Sequence, residues 1–157
     1  MRATVRQKDP GWLKRLLGRY DTGPVLAVGV PVGTSGASHR YPDGTPLLMV
    51  AAVNQFGSVS GRIPQRDYMG PGGRLAIERT EAIVARGVKD INAGKATKDQ
   101  VLSKMGPFAQ AAFQDAITQL SDPPNAEATI EAKGSSNPLI DTGALRGAMT
   151  WVVRGKR

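Results

Sequence analysis

The sequence predicts an α+β fold: a small mixed or antiparallel β-sheet packed by two longer α-helices, with long loops that form an arm. Three observations predict it. Two β-branched runs, 24–30 (PVLAVGV) and 150–153 (TWVV), stand near opposite ends of the chain, and such residues suit a pleated, half-buried surface. Two stretches with apolar residues at helical spacing lie between them. Nineteen glycines and eleven prolines in 157 residues call for long connections. The length suits one domain, 1–157, with a basic N-terminal extension and short helix over 1–20 and extended loops over 33–45 and 57–73.

Composition removes several kinds of chemistry. There is no cysteine, hence no disulfide, thiolate metal site or cysteine nucleophile. One histidine, His39, cannot make a multi-histidine metal site. No cofactor or metal is expected. No apolar run reaches the length of a membrane span, and the basic N-terminus lacks the apolar core of a signal peptide. The expected setting is therefore a cytosol, at least until assembly. Charge is uneven. Residues 1–20 carry six basic side chains against Asp9 (+5), and 133–157 carry five against Asp141 (+4). Residues 21–132 carry ten against eleven (−1). Basic ends suit nucleic acid or an acidic protein surface, or simply keep a terminus solvated.

In chain order, residues 1–8 are polar and extended, a candidate extra strand. Asp9-Pro10 precedes a short amphipathic helix with Trp12, Leu13, Leu16 and Leu17 on one face. A strand follows over 24–31, with Leu26, Val28 and Val30 sharing a face by the period of two. Residues 33–45 form a Gly/Ser loop around His39, Arg40 and Tyr41. Thr45-Pro46 opens a helix through Asn54, which Gly57 ends. Pro64 holds Ile63 extended, so 63–69 runs flat, and the Gly70-Pro71-Gly72-Gly73 cluster breaks it.

The first long helix is expected over 74–93, with Ile77, Val84, Val88 and Ile91 as its inward stripe. Thr97 and Gln100 fit a capping box for a short helix to Met105. Gly106-Pro107 then breaks the chain before the second long helix, 107–121, with Ala109, Ala112, Phe113, Ala116, Ile117 and Leu120 inward. Asp122-Pro123-Pro124 stops it. Asn125 caps a further helix over 126–132. The segment 133–153 reads as a structural latch: a polar loop, the apolar pair Leu139-Ile140, a helix start at Asp141-Thr142-Gly143, a turn through Leu145 and Arg146, and a last strand over 147–154.

Catalytic arrangements are poorly supported. A Ser-His-Asp site would have to use His39 in a glycine-rich loop. Glu78, Glu81, Asp90 and Asp115 stand at helical spacing beside arginines and lysines and read as exposed ion pairs.

Two stretches carry a family resemblance. Residues 51–57 (AAVNQFG) followed by 63–69 (IPQRDYM) are similar to a segment of phage tail-completion and neck proteins, where N-E-F-G precedes I-P-x-R-P-F. Residues 129–134 (TIEAKG) and 138–146 (PLIDTGALR) resemble the closing T-I-x-x-K-G and P-L-I-D-T-G-x-L of the same group. That group includes the minor tail protein Z-like and Mu-type virion morphogenesis proteins. The likeness spans about residues 45–153. Gln55 departs from the usual glutamate, and Asp67-Tyr68 from the usual Pro-Phe.

The resemblance implies a small subunit of a homo-oligomeric ring at the head–tail junction of a virion, assembled in the bacterial cytoplasm. The ring would be six-fold, or twelve-fold on the connector side. Its neighbours would be head-connector and tail-tube proteins, with passing contact between the basic termini and genomic DNA and none with a membrane. Phe56, Ile63, Pro64, Arg66, Tyr68 and Met69 would reach a neighbouring subunit. Leu139, Ile140, Asp141, Thr142, Gly143, Leu145 and Arg146 would form the latch that pins the last strand. A basic nucleic-acid-binding module and a small enzyme are the competing classes.

Overall fold

The computed structural model describes residues 11, 14, 15, 18, 20 and 23–155. The elements run β1 (Val25–Gly29), α1 (Ser35–Ser38), α2 (Leu47–Phe56), α3 (Met69–Asn92), α4 (Lys98–Gln119), α5 (Glu127–Lys133), α6 (Ala144–Ala148) and β2 (Thr150–Arg154). This is the expected α+β fold. The strands pair antiparallel, Val25 opposite Arg154 and Gly29 opposite Thr150. Among the described residues the sheet has only these two strands. The candidate strand over 1–8 and the apolar face of Trp12, Leu13, Leu16 and Leu17 lie outside the described residues.

Helix α4 is the centre of the packing. Its capping box forms: Thr97 Oγ1 accepts from the Gln100 amide at 3.2 Å, and Gln100 Oε1 accepts from the Thr97 amide at 3.0 Å. Ala109, Ala112, Phe113, Ala116 and Ile117 are buried, as their spacing predicts. The helix does not break at Gly106-Pro107 but runs unbroken for 22 residues. Pro107 is on its exposed side, where water can serve the carbonyl that proline leaves without an amide partner. Gly106 lies against the Trp151 ring of β2, in space that a Cβ would fill. The glycine thus sets the helix–sheet distance.

Helix α3 also departs from expectation. It begins at Met69, and the glycine cluster is its first turn. Asp67 Oδ1 accepts from the Gly70 amide at 2.9 Å, and Pro71 sits where its missing N–H costs little. The inward face is Gly72, Thr80, Gly87 and Ile91. A Cβ on Gly72 would stand 2.6 Å from the Phe113 ring, and one on Gly87 would clash with Val101. Close approach to α4 therefore selects small residues. Ile77 is 73% exposed, and Val84 and Val88 are also exposed, so of the expected stripe only Ile91 is buried. Thr80 satisfies its hydroxyl on the Ala76 carbonyl at 2.7 Å.

The remaining elements close one end of the core. Leu47 and Ala51 of α2, Phe113 and Ile117 of α4, and Tyr68, Leu139, Leu145 and Met149 form one buried cluster. Within the 33–45 loop, Thr34 caps α1, and Gly36 lets that helix lie against Ala148 of α6. Thr45 does not cap α2. Its hydroxyl donates to Asp43 Oδ2 at 2.8 Å, and Pro46 is the N-cap residue. Asn125 does not cap α5 either, whose N-cap residue is Ala126.

Candidate functional site

The stretches that carry the resemblance lie far apart in sequence and meet across one cleft of about 730 Å³. Val50 and Asn54 of α2, residues 62–64 and Arg66 line one wall; 124–126, Thr129, Pro138, Leu139, Asp141 and Leu145 line the other. Tyr41, Asp43 and Thr45 complete it.

Arg66 joins the two walls. Its Nε donates to the Pro123 carbonyl at 2.9 Å and its Nη2 to the Pro124 carbonyl at 2.9 Å. Nη1 reaches Asn54 Oδ1 at 3.0 Å, and Nη2 also reaches Asn125 Oδ1 at 3.2 Å. The Arg66 amide donates to the Asn54 carbonyl at 2.7 Å. Every one of these acceptors is a neutral oxygen. Burial lowers the guanidinium pKa from its ordinary value, but an arginine starts so high that the group stays cationic. The planar fork suits this task, since one side chain holds several fixed acceptors at once.

Arg66 and Tyr68, expected to reach a neighbour, are therefore spent within the subunit. Arg66 is only 6% exposed. Tyr68 is buried in the core and donates its hydroxyl to the Ala51 carbonyl at 3.2 Å. Burial pushes the Tyr68 hydroxyl pKa up to about 12. The apolar core and the stop formed by the prolines at 123 and 124 claim both residues before a partner can. Met69 is half-buried and packs on the core.

Phe56, Ile63 and Pro64 face outward. Phe56 is 75% exposed at the end of α2, where Gly57 turns the chain with φ of +79°. The 58–63 segment is a pinned turn rather than a loose arm. Ser58 donates its amide to the Ile63 carbonyl at 2.9 Å, and its Oγ accepts from the Ile63 amide at 2.8 Å. Val59 stands fully exposed at its tip.

In the latch segment, Leu139 and Leu145 are buried, and Ile140 packs against the same core. Asp141, Thr142 and Arg146 are exposed. Gly143 takes φ of +77° to start α6, and Thr142 Oγ1 accepts from the Ala144 amide at 3.3 Å. Three asparagines organise this region in roles that the sequence reading did not assign to them. Asn54 and Asn125 hold Arg66. Asn137 Oδ1 accepts from the amides of Leu139 and Ile140 at 2.9 and 3.0 Å, and its Nδ2 donates to the Thr118 carbonyl at 2.8 Å. The available signal was Asn137-Pro138 before two apolar residues, a turn-initiating pair.

The cleft's polar groups are mostly engaged with one another. Asp43 accepts from the amide and hydroxyl of Thr45, which lowers its pKa. The Tyr41 hydroxyl pKa is raised by burial and then by the charge of Asp141. His39 does not line the cleft; its ring stands edge-on to Tyr41 at 5.4 Å. Among the described residues no group of three or more His, Cys, Asp or Glu is placed to hold a metal ion. No helix among them is long and apolar enough to cross a membrane. The chain matches no family model, no curated protein and no solved structure.

Proposed function

We propose that this chain is a structural subunit of a tailed bacteriophage virion, one copy in a ring at the head–tail junction that acts through assembly contacts. The observation that carries the reading is the pinned, apolar turn over 56–63. Phe56, Val59 and Ile63 are held outward by a frame whose polar groups are satisfied within the chain. A few apolar anchors on a rigid support are what an association surface needs. The motifs behind the resemblance form that frame: Asn54 and Arg66 come from the first, and the second supplies the opposite wall of the cleft. The proposed neighbours are sister copies, a head-connector protein and a tail-tube protein, in a six-fold or twelve-fold ring.

Native mass measurement of the purified chain, with electron microscopy of the same sample, tests this. The expected result is a closed ring of one stoichiometry. A monomer at every concentration, together with absence of the chain from mature particles, overturns it.

A further inference from the structure

Strands β1 and β2 form a ribbon with two outer edges. Helix α4 packs on both strands and covers one face of the ribbon. On that face Trp151 lies against Gly106, and Val28, directly opposite Trp151, packs on the core. No other described element runs along either strand. In an antiparallel pair about half of each strand's N–H and C=O groups point away from the partner strand. Among the described residues nothing pairs with those outward groups on either edge.

Exposed edges are usually blunted by a charge, a proline, a bulge or a covering segment. Among the described residues this ribbon has almost none of that protection. Val25–Gly29 carries no charged residue and no proline, and Thr150–Arg154 has its single charge at the last position. The five pairs run one to one, with no bulge. The face turned away from α4 holds Val25, Ala27, Thr150 and Val152, small or β-branched residues that suit a wider sheet. Two strands alone are marginal, and further strands strengthen a sheet.

We infer that β2 of one copy pairs antiparallel with β1 of a second copy, so that the ribbons join into one continuous sheet between subunits. A row of outward N–H and C=O groups is met best by another strand. The second copy is the partner that fits, because the ribbon has two open edges of equal length, five residues each. A strand of some other protein added to one edge leaves the other open. A β2-to-β1 junction covers both, since each copy offers one edge on either side. Only this junction repeats: β1 on β1, or β2 on β2, is isologous and ends at a dimer. Strand directions agree as well. The two strands already run antiparallel within a copy, and rotation about a ring axis keeps that alternation across the junction. Register follows from the faces, because a slip of one residue would turn Trp151 or Val28 away from the helices. Closure of the sheet rests on the proposed ring; the pairing of two copies does not.

The test is hydrogen–deuterium exchange of the full chain, assembled and after dilution to monomer, with native mass measurement of the same samples. Amides of 25–29 and of 150–154 should exchange at least about tenfold more slowly in the particle. A closed particle in which both segments exchange as fast as in the monomer overturns the shared sheet and leaves the ring standing. Protection of one segment alone also overturns it. An open string of copies with both segments protected keeps the sheet and removes the ring. A monomer at every concentration overturns both. The order of strands is read separately. The chain has no cysteine, so introduced thiols report one contact each. Ala27→Cys copies assembled together with Thr150→Cys or Val152→Cys copies should form the mixed disulfide in preference to either like pair. A dominant like pair, or no mixed pair with either partner, would overturn the β2-to-β1 junction.

Discussion

Gln55 donates its side-chain amide to Asp67 Oδ1 at 2.8 Å, so two of the three positions at which the chain departs from the resembled motifs touch each other. Gln55 Oε1 also accepts from the Met69 amide at 3.2 Å. One side chain therefore ties the end of α2 to the start of α3. A glutamate at 55 would face a carboxylate. Glutamine here and aspartate there form one compatible pair, and the segment is held rather than loosened.

The pair has a pH signature. The Asp67 pKa is lowered, first by the Gln55 hydrogen bond and then by the Gly70 amide. A depressed carboxylate pKa contributes stability above the unfolded value, and that stability is lost as pH falls through the folded value. The thermal midpoint should therefore drop as pH goes below about 4, and Gln55→Leu should make that drop shallower. Gln55→Glu should cost about 1 kcal/mol at pH 7. Part of that cost should return on acidification, because a carboxyl crowded by a like charge binds its proton more readily in the folded state. Calorimetry across pH 3–7 reads both effects.

Arg66 should be the most sensitive polar residue. Arg66→Met would strand the carbonyls of Pro123 and Pro124 and the amide oxygens of Asn54 and Asn125. The expected loss is about 3 kcal/mol or more, seen as a lower urea midpoint with unchanged slope. Arg66→Lys should recover less than half of it, since a single ammonium cannot span the same acceptors.

Glycine substitutions should separate by location. Gly106→Ala meets the Trp151 ring and Gly72→Ala meets Phe113; each should cost about 1–3 kcal/mol. Gly73→Ala, one residue along α3, finds open space and should be neutral or stabilising by up to about 1 kcal/mol from helix propensity alone. Denaturant unfolding of the three variants checks the order.

Phe56→Ser should leave the monomer's thermal midpoint nearly unchanged, because the ring is exposed and surface changes usually stay within about 0.5 kcal/mol. The same change should abolish or weaken ring formation in native mass measurement. A lower midpoint with assembly intact would place Phe56 in the subunit's own packing instead.

The strands and the inward face of α4 were legible because their residue types and periods state their burial directly. The existence of helix α3 and the burial of Ile91 were also legible, but the rest of its inward face was not, since that is Gly72, Thr80 and Gly87. A period search reads large apolar residues, and here close helix contact needs small ones, which leaves Ile77 outside. The same rule hid the continuity of α4: Gly106 reads as a breaker until Trp151 is known to lie against it. Arg66 read as an interface residue because its acceptors, the carbonyls of Pro123 and Pro124, lie 57 and 58 positions away, and carbonyls leave no trace in a sequence. The latch apolar residues were legible; Asn137, which holds them, read only as part of a polar loop.

The ladder between Val25 and Arg154 also bears on how the molecule is built. Bringing such distant positions together costs loop-closure entropy before any contact repays it. The helical hairpin of α3 and α4 has far shorter connections and can form without the ribbon. The expected order of folding therefore runs from the middle of the chain outward, with the ribbon added last against the helices.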